Sequence, residues 1–136
     1  MKILIDTHYL IWLLVSPEKI PKEAKNILLS EENEIICSSV NFWEISLKLS
    51  IGKIELENIS IDDLFTFSKK SNLQIINLSP LDSVTFHKLP TTEHKDPFDR
   101  MLIWQSINND YYFLTEDKMI KKNYKEFGLR LALDFI

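Results

Sequence analysis

The chain has 136 residues, 45% of them hydrophobic, and a formal net charge of −4 at pH 7, so it suits one domain over 1–136 with a real core and excludes nucleic-acid binding by bulk positive charge. Its longest apolar stretches, such as Tyr9 to Val15, are too short to span a bilayer, and the start Met1-Lys2-Ile3-Leu4-Ile5-Asp6 meets an acid too early for a signal peptide. The single cysteine, Cys37, excludes an internal disulfide framework and fits a reducing cytosol, while two glycines, Gly52 and Gly128, exclude a Gly-rich phosphate loop.

In chain order, residues 2–5 read as a buried strand and His8 to Val15 as a short helix ended by Ser16-Pro17. Pro21 suits the first position of a helix running to Ser30. Glu34 to Ser38 is a second strand, with Cys37 in the core. Ser39 caps a helix from Val40 to Ile51, with Gly52 as its stop. Ser60 and Asp63 form a capping box for a helix to Lys70. Gln74 to Leu78 is a third strand, and Ser79-Pro80 opens another helix. Asp96-Pro97 starts a long helix to Asn109. Tyr111 to Leu114 is a fourth strand, Lys118 to Tyr124 a short helix, and Leu129 to Leu133 a marginal last strand. Strands alternating with helices imply a parallel sheet covered on both faces.

Four acids stand at parallel places in this scheme. Asp6 ends the first strand and Asp117 follows the fourth. Glu44 and Asp99 fall near helix starts. Each has a plain structural reading: Asp6 as a helix cap, Glu44 as the partner of Lys48 four residues on, Asp117 as a cap for the helix at Lys118. Asp96, before Pro97, reads as an N-cap. Jointly, however, strand ends and helix starts on one sheet edge converge on one crevice. Four carboxylates there could not all stay ionised without a cation, and oxygen ligands suit Mg²⁺ or Mn²⁺. The chain therefore reads as a metal-dependent enzyme acting on phosphate esters. A haloacid-dehalogenase-type phosphatase would need an Asp where His8 stands. A receiver domain would need an Asp where Leu78-Ser79-Pro80 follows the third strand. His8, His87 and His94 are scattered without zinc-ligand spacing and read as surface or structural. Lys118, Lys121, Lys122 and Lys125, with Tyr124 among them, read equally as a solvated face or as phosphate contacts.

Four segments then resemble a PIN-domain ribonuclease, specifically the toxin of a VapBC-type toxin–antitoxin pair. They are Ile3-Leu4-Ile5-Asp6-Thr7-His8, SSVNFWEISLKLSIGKIEL from Ser38, HKDPFDRMLIWQS from His94 and FLTEDKMI from Phe113. They come in family order and cover most of the chain. The resemblance implies a PIN-like three-layer α/β fold with a short, mostly parallel sheet of four to five strands flanked by helices on both faces. It implies one or two Mg²⁺ (or Mn²⁺) ions on Asp6, Glu44, Asp99 and Asp117, with Asp96 as an extra ligand or outer group and Thr115 orienting a water. The implied activity is hydrolysis of RNA phosphodiester bonds by metal-activated water, in a cytoplasmic homodimer silenced by a cognate antitoxin. Trp104-Gln105 stands where many relatives carry Ala. Two rivals remain: a PIN nuclease of RNA processing without an antitoxin, and a PIN-like RNA- or protein-binding module that has lost catalysis. The intact acids argue against the second rival. Arg100 and Lys118 adjoin Asp99 and Asp117 in sequence, and the helical turn points Arg100 away from Asp99. An inhibitor should thus supply its own Arg, anchored on apolar surface at Tyr9, Trp12 and Leu13.

Overall fold

The computed structural model describes residues 1–135. Five strands, β1 (Lys2–Ile5), β2 (Glu34–Ser38), β3 (Leu73–Ile76), β4 (Tyr112–Leu114) and β5 (Arg130–Leu131), form one parallel sheet in the order β3-β2-β1-β4-β5. Seven α-helices cover it: α1 (Thr7–Val15), α2 (Lys22–Leu29), α3 (Ser39–Ser50), α4 (Ile61–Lys70), α5 (Pro80–Thr85), α6 (Pro97–Asn108) and α7 (Lys118–Asn123). None is long and apolar enough to cross a membrane. The α/β architecture expected from the alternating elements is the one observed.

The strands alternate strictly between two cores, as a side-chain period of two requires. Ile3, Ile5, Ile35, Cys37 and Leu114 pack with Tyr9, Leu10, Ala24, Ile27, Ile45 and Leu64 on one face. Leu4, Ile36 and Phe113 pack with Val40, Leu102, Ile103, Ile120 and Tyr124 on the other. Cys37 is fully buried, and burial pushes its thiol up to about 12, so it is a packing residue rather than a reactive one.

Several boundaries shift from the sequence reading for identifiable reasons. Helix α3 begins at Ser39, because Ser38 is the residue whose hydroxyl accepts from the backbone N–H of Val40 while Asn41 reaches back to the N–H of Ser38. Pro21 precedes α2 as its cap instead of opening it. Strand β3 stops at Ile76, since its partner β2 ends at Ser38. The freed groups go elsewhere: the N–H of Leu78 donates to Ser39 Oγ, and the carbonyl of Asn77 accepts from Gln105. Strand β5 keeps two residues because only Tyr112 and Phe113 face it. Gly52 does end α3, in the left-handed region at φ +72°.

Helix α3 is apolar over most of its surface yet buries only one stripe of it. Glu44 and Ile45 are buried, but Trp43 is 58% exposed. The bulk of Trp104 and Gln105 has an explanation. Trp104 Nε1 donates to Thr85 Oγ1 at 3.1 Å, and buried Gln105 Oε1 accepts from Ser38 Oγ at 2.7 Å. This pair ties α6 to α5 and to the start of α3.

Candidate metal centre

Strand order places β1 at the sheet centre, where the chain leaves for β2 on one side and returns through β4 on the other. That switch point opens a crevice beyond the carboxyl ends of the strands. Asp6 ends β1 there, and its backbone N–H donates to the carbonyl of Leu114, the last residue of β4. Asp6 is buried, and each of its carboxylate oxygens accepts one hydrogen bond. Oδ1 accepts from the N–H of Tyr9 at 2.9 Å, capping α1, and Oδ2 accepts from Thr115 Oγ1 at 2.7 Å. Both expected roles, cap and crevice acid, thus fall on one side chain. Burial raises its pKa above the ordinary carboxylate value, opposed by those two hydrogen bonds.

Thr115 sits between two of the acids. It is fully buried, and its hydroxyl donates to Asp6 while accepting from the N–H of Asp117 at 3.0 Å. Its one proton is spent on the Asp6 carboxylate, so it ties Asp6 to the start of α7 and keeps one acceptor lone pair. Asp117 caps α7 through the N–H groups of Met119 and Ile120.

Helix α3 brings Glu44 to the same region. Thr7 Oγ1 donates to Glu44 Oε1 at 2.6 Å, and Thr7 accepts from Asn41 Nδ2 at 3.1 Å. Lys48 Nζ pairs with Glu44 Oε2. The i,i+4 pair is therefore real, but it sits against a carboxylate only 4% exposed. Burial works against the Lys48 ammonium, yet the bond to Glu44 and the charges of Glu44, Asp96 and Asp99 hold its pKa above the ordinary value. Lys48 is thus a built-in cation of the crevice. Lys48→Met is expected to strip the buried carboxylate of its partner, costing about 1.5–3 kcal/mol. Its melting temperature should fall without metal and recover further on adding Mg²⁺ than wild type does, as paired thermal melts would show.

Asp96 caps α6, accepting from the N–H of Asp99 at 2.9 Å. Asp99 lies one turn in, and its carboxyl is pushed up to about 8, first by burial and then by Asp96, Glu44, Asp6 and Asp117. Of the four acids, the structure brings Asp99 and Asp117 into one ligand group among the described residues, while Asp6 and Glu44 act on Asp99 as nearby charges. Arg100 indeed turns away, donating to the carbonyls of Leu89 and Pro90 and to the Tyr124 hydroxyl.

The sequence reading set His94 aside, and the structure brings it in. His94 is buried, with Nε2 3.2 Å from Asp99 Oδ2 and Nδ1 2.9 Å from the Tyr124 hydroxyl. Burial lowers its pKa below the ordinary imidazole value, opposed by the charges of Asp117 and Asp96. Among the described residues, His94, Asp99 and Asp117 each offer one ligand atom, all within 4.8 Å of one another. His94 is five residues from Asp99, a spacing with no helical or metal-motif meaning. The turn at Asp96-Pro97 folds it back, and that polar loop before an N-cap was the one available signal. Tyr124, read among the lysines, is instead a fully buried hub. Of those lysines, Lys121, Lys122 and Lys125 pair with Glu116, Glu93 and Asp134.

A family model described as the PIN domain matches residues 3–126. The chain belongs to the PIN-domain family. Ribonuclease VapC22 of Mycobacterium tuberculosis is 18% identical over 121 residues, covering 89% of this chain and 91% of that protein. Among solved structures, VapBC2 from Rickettsia felis, bound to a DNA fragment from its promoter, matches with a TM-score of 0.69 at 19% identity, covering 96% of this chain and 97% of that one. VapBC-1 from nontypeable Haemophilus influenzae matches with a TM-score of 0.63 at 15% identity over 96% of each chain. FitAcB from Neisseria gonorrhoeae gives a TM-score of 0.63 at 14% identity, over 98% and 99%. At these identities the structural likeness speaks for the PIN fold. It agrees with the family read from the four motif segments.

Proposed function

We propose that this PIN domain is a Mg²⁺-dependent endoribonuclease and the toxin of a toxin–antitoxin pair. The observation that carries the reading is the group of His94, Asp99 and Asp117, whose ligand atoms lie within 4.8 Å of one another, with the Asp99 carboxyl pushed up by burial and the neighbouring acids. Such a site is under-neutralised and fits a divalent cation. Asp6, Glu44, Asp99 and Asp117 are the proposed ligands. Their oxygens suit Mg²⁺ or Mn²⁺, and the His94 nitrogen sits beside them. When bound, the metal supplies a lowered water pKa and charge stabilisation at the phosphate. The chain's own residues do the rest. Thr115 fixes Asp6 and Asp117 relative to each other across β1 and β4. Thr7 and Lys48 fix Glu44. Asp96 fixes the first turn of α6 under Asp99. The preorganised crevice then holds an RNA phosphodiester for attack by water, with cleavage of one P–O bond.

The direct test is sequencing of RNA ends after incubation with purified protein and Mg²⁺, wild type against Asp6→Ala. Discrete new ends that vanish with Asp6→Ala or with EDTA support the reading. Identical ends from both proteins would overturn it.

Asp96 and Asp99 divide their labour in this scheme. Asp96→Ser keeps a capping oxygen and relieves Asp99 of one negative neighbour. It should retain most cleavage and lose less than the roughly 0.5–2 kcal/mol of a missing cap. Asp99→Ser should lose cleavage. Rate assays and thermal melts on the two variants decide this; equal loss at unchanged stability would make Asp96 a ligand as well.

The proposed partners are RNA, a second copy of the chain and a cognate antitoxin in the cytoplasm. The antitoxin should present an Arg to the acids, since its planar fork pairs with a carboxylate in bidentate fashion. The apolar anchor expected at Tyr9, Trp12 and Leu13 needs correction, because Tyr9 is fully buried under the sheet edge. Trp12 and Leu13 are partly exposed and remain available. Binding of an antitoxin tail peptide should weaken as Mg²⁺ rises and as its Arg is changed to Ala. Calorimetric titration showing neither effect would remove the blocking role and leave the nuclease standing.

A further inference from the structure

A recess of about 270 Å³ lies beside the acids, lined by Asp6, His8, Trp12, Glu116 and Asp117. Its composition is unlike the rest of the crevice. His8 and Trp12, one turn apart on α1, present rings with centroids 6.1 Å apart and planes tilted by 48°. Trp12 is braced from behind by Tyr9, edge-on at 5.3 Å. The same Tyr9, fully buried, donates its phenolic O–H to Glu116 Oε2 at 2.5 Å. Lys121 approaches the same oxygen at 4.0 Å. Oε1 of Glu116 takes no hydrogen bond among the described residues. One residue thus sets both the aromatic wall and the carboxylate.

Glu116 lies outside the proposed ligand set and would repel a phosphate, so the part of the recess it shares with His8 and Trp12 suits an uncharged group next to the phosphate held at the acids. A carboxylate on the path of an RNA strand is costly unless it accepts hydrogen bonds from a base. Unpaired RNA bases are recognised by stacking on aromatic side chains, including His, and by hydrogen bonds to their Watson–Crick edges. A carboxylate only accepts. Guanine alone among the four bases offers it two adjacent donors on that edge, N1–H and the N2 amino group. Adenine and cytosine each offer one donor beside a ring-nitrogen acceptor, and uracil one donor between two carbonyls. Resting on the nuclease reading above, we infer that this recess receives an unpaired guanine next to the scissile phosphate, stacked on Trp12 with the His8 ring at its edge and read by Glu116. The substrate class is then RNA with a guanine in a single-stranded loop or end.

The test is an NMR titration of ¹⁵N-labelled protein with GMP, AMP, CMP and UMP at saturating Mg²⁺, following the Trp12 indole signal assigned by Trp12→Phe. GMP should shift that signal and bind about tenfold or more tighter than the other three. Glu116→Gln, which keeps shape and an acceptor for Tyr9 but turns a donor toward the base, should erase the margin and leave the weak common binding. Equal affinities, no binding, or a guanine margin that survives Glu116→Gln would overturn the inference. Cleavage is scored separately. RNA cut without regard to guanine sinks this inference alone, whereas a guanine margin in a protein that cuts nothing sinks the nuclease reading alone.

Discussion

Asp99→Asn is expected to abolish RNA cleavage while making the metal-free protein more stable at neutral and alkaline pH. Removing one ligand charge from a site that works by electrostatic preorganisation should cost on the order of 10² to 10³ in rate. The stability effect follows from proton linkage. The carboxyl of Asp99 goes from an ordinary 3.8 to about 8 in the fold. Between those values the folded state holds a proton that the unfolded chain has released. The contribution of Asp99 to stability is therefore full below pH 3.8 and is lost as pH rises towards and through 8. Wild-type melting temperature without metal should fall across that window, and Asp99→Asn should flatten the fall. Added Mg²⁺ should restore the wild type at pH 8 and do little for the variant. Melts at pH 5 and pH 8.5, with and without Mg²⁺, check all four corners. A variant that tracks wild type at both pH values would mean that Asp99 is not the strained carboxyl.

What the sequence disclosed depended on how local each signal was. Strands β1 and β2 were legible because their residues are buried on both faces and read as continuous apolar runs. Asp96-Pro97, Ser60 with Asp63 and Ser79-Pro80 were legible because capping is a matter of a few consecutive residues, and all three caps form. The proposal that Asp6, Glu44, Asp99 and Asp117 share one site rests on the rule that parallel strands open onto one edge. Contacts that depend on distant packing were not legible. Nothing within α3 says that Trp43 faces out while Glu44 faces in, since an apolar helix surface carries no label for which stripe meets the sheet. His94 and Tyr124 are 30 residues apart and meet only after the loop before α6 folds against α7. Lys48 looked like a surface charge because its partner's burial is set by Thr7 and Asn41, neither of them next to Glu44 in sequence.

That loop, running from Leu89 to Asp96, also locates the largest stability effect. Arg100 is 8% exposed, and its guanidinium donates to the carbonyls of Pro90 and Leu89 at 3.2 Å and to Tyr124 Oη at 3.0 Å. It stacks near Phe86 and the Tyr124 ring. Arg100→Ala removes every one of these donors and leaves the carbonyls of Leu89 and Pro90 short of a partner, while the Tyr124 hydroxyl keeps Thr92 and His94. Each buried orphan costs about 1–3 kcal/mol, so the whole change should cost roughly 3–5 kcal/mol. Tyr124→Phe is the finer probe. It keeps the ring in the core and takes away the oxygen shared by Arg100, Thr92 and His94. Its stability cost should be about 1–3 kcal/mol. Because the same oxygen holds His94 beside Asp99, cleavage should fall by more than the lost stability can explain at a temperature where the variant is fully folded. Urea unfolding gives the first quantity and single-turnover cleavage of RNA the second. If Arg100→Ala melts like wild type, the loop is not pinned by this cation. If Tyr124→Phe cuts RNA at the wild-type rate, the placement of His94 does not matter to the chemistry.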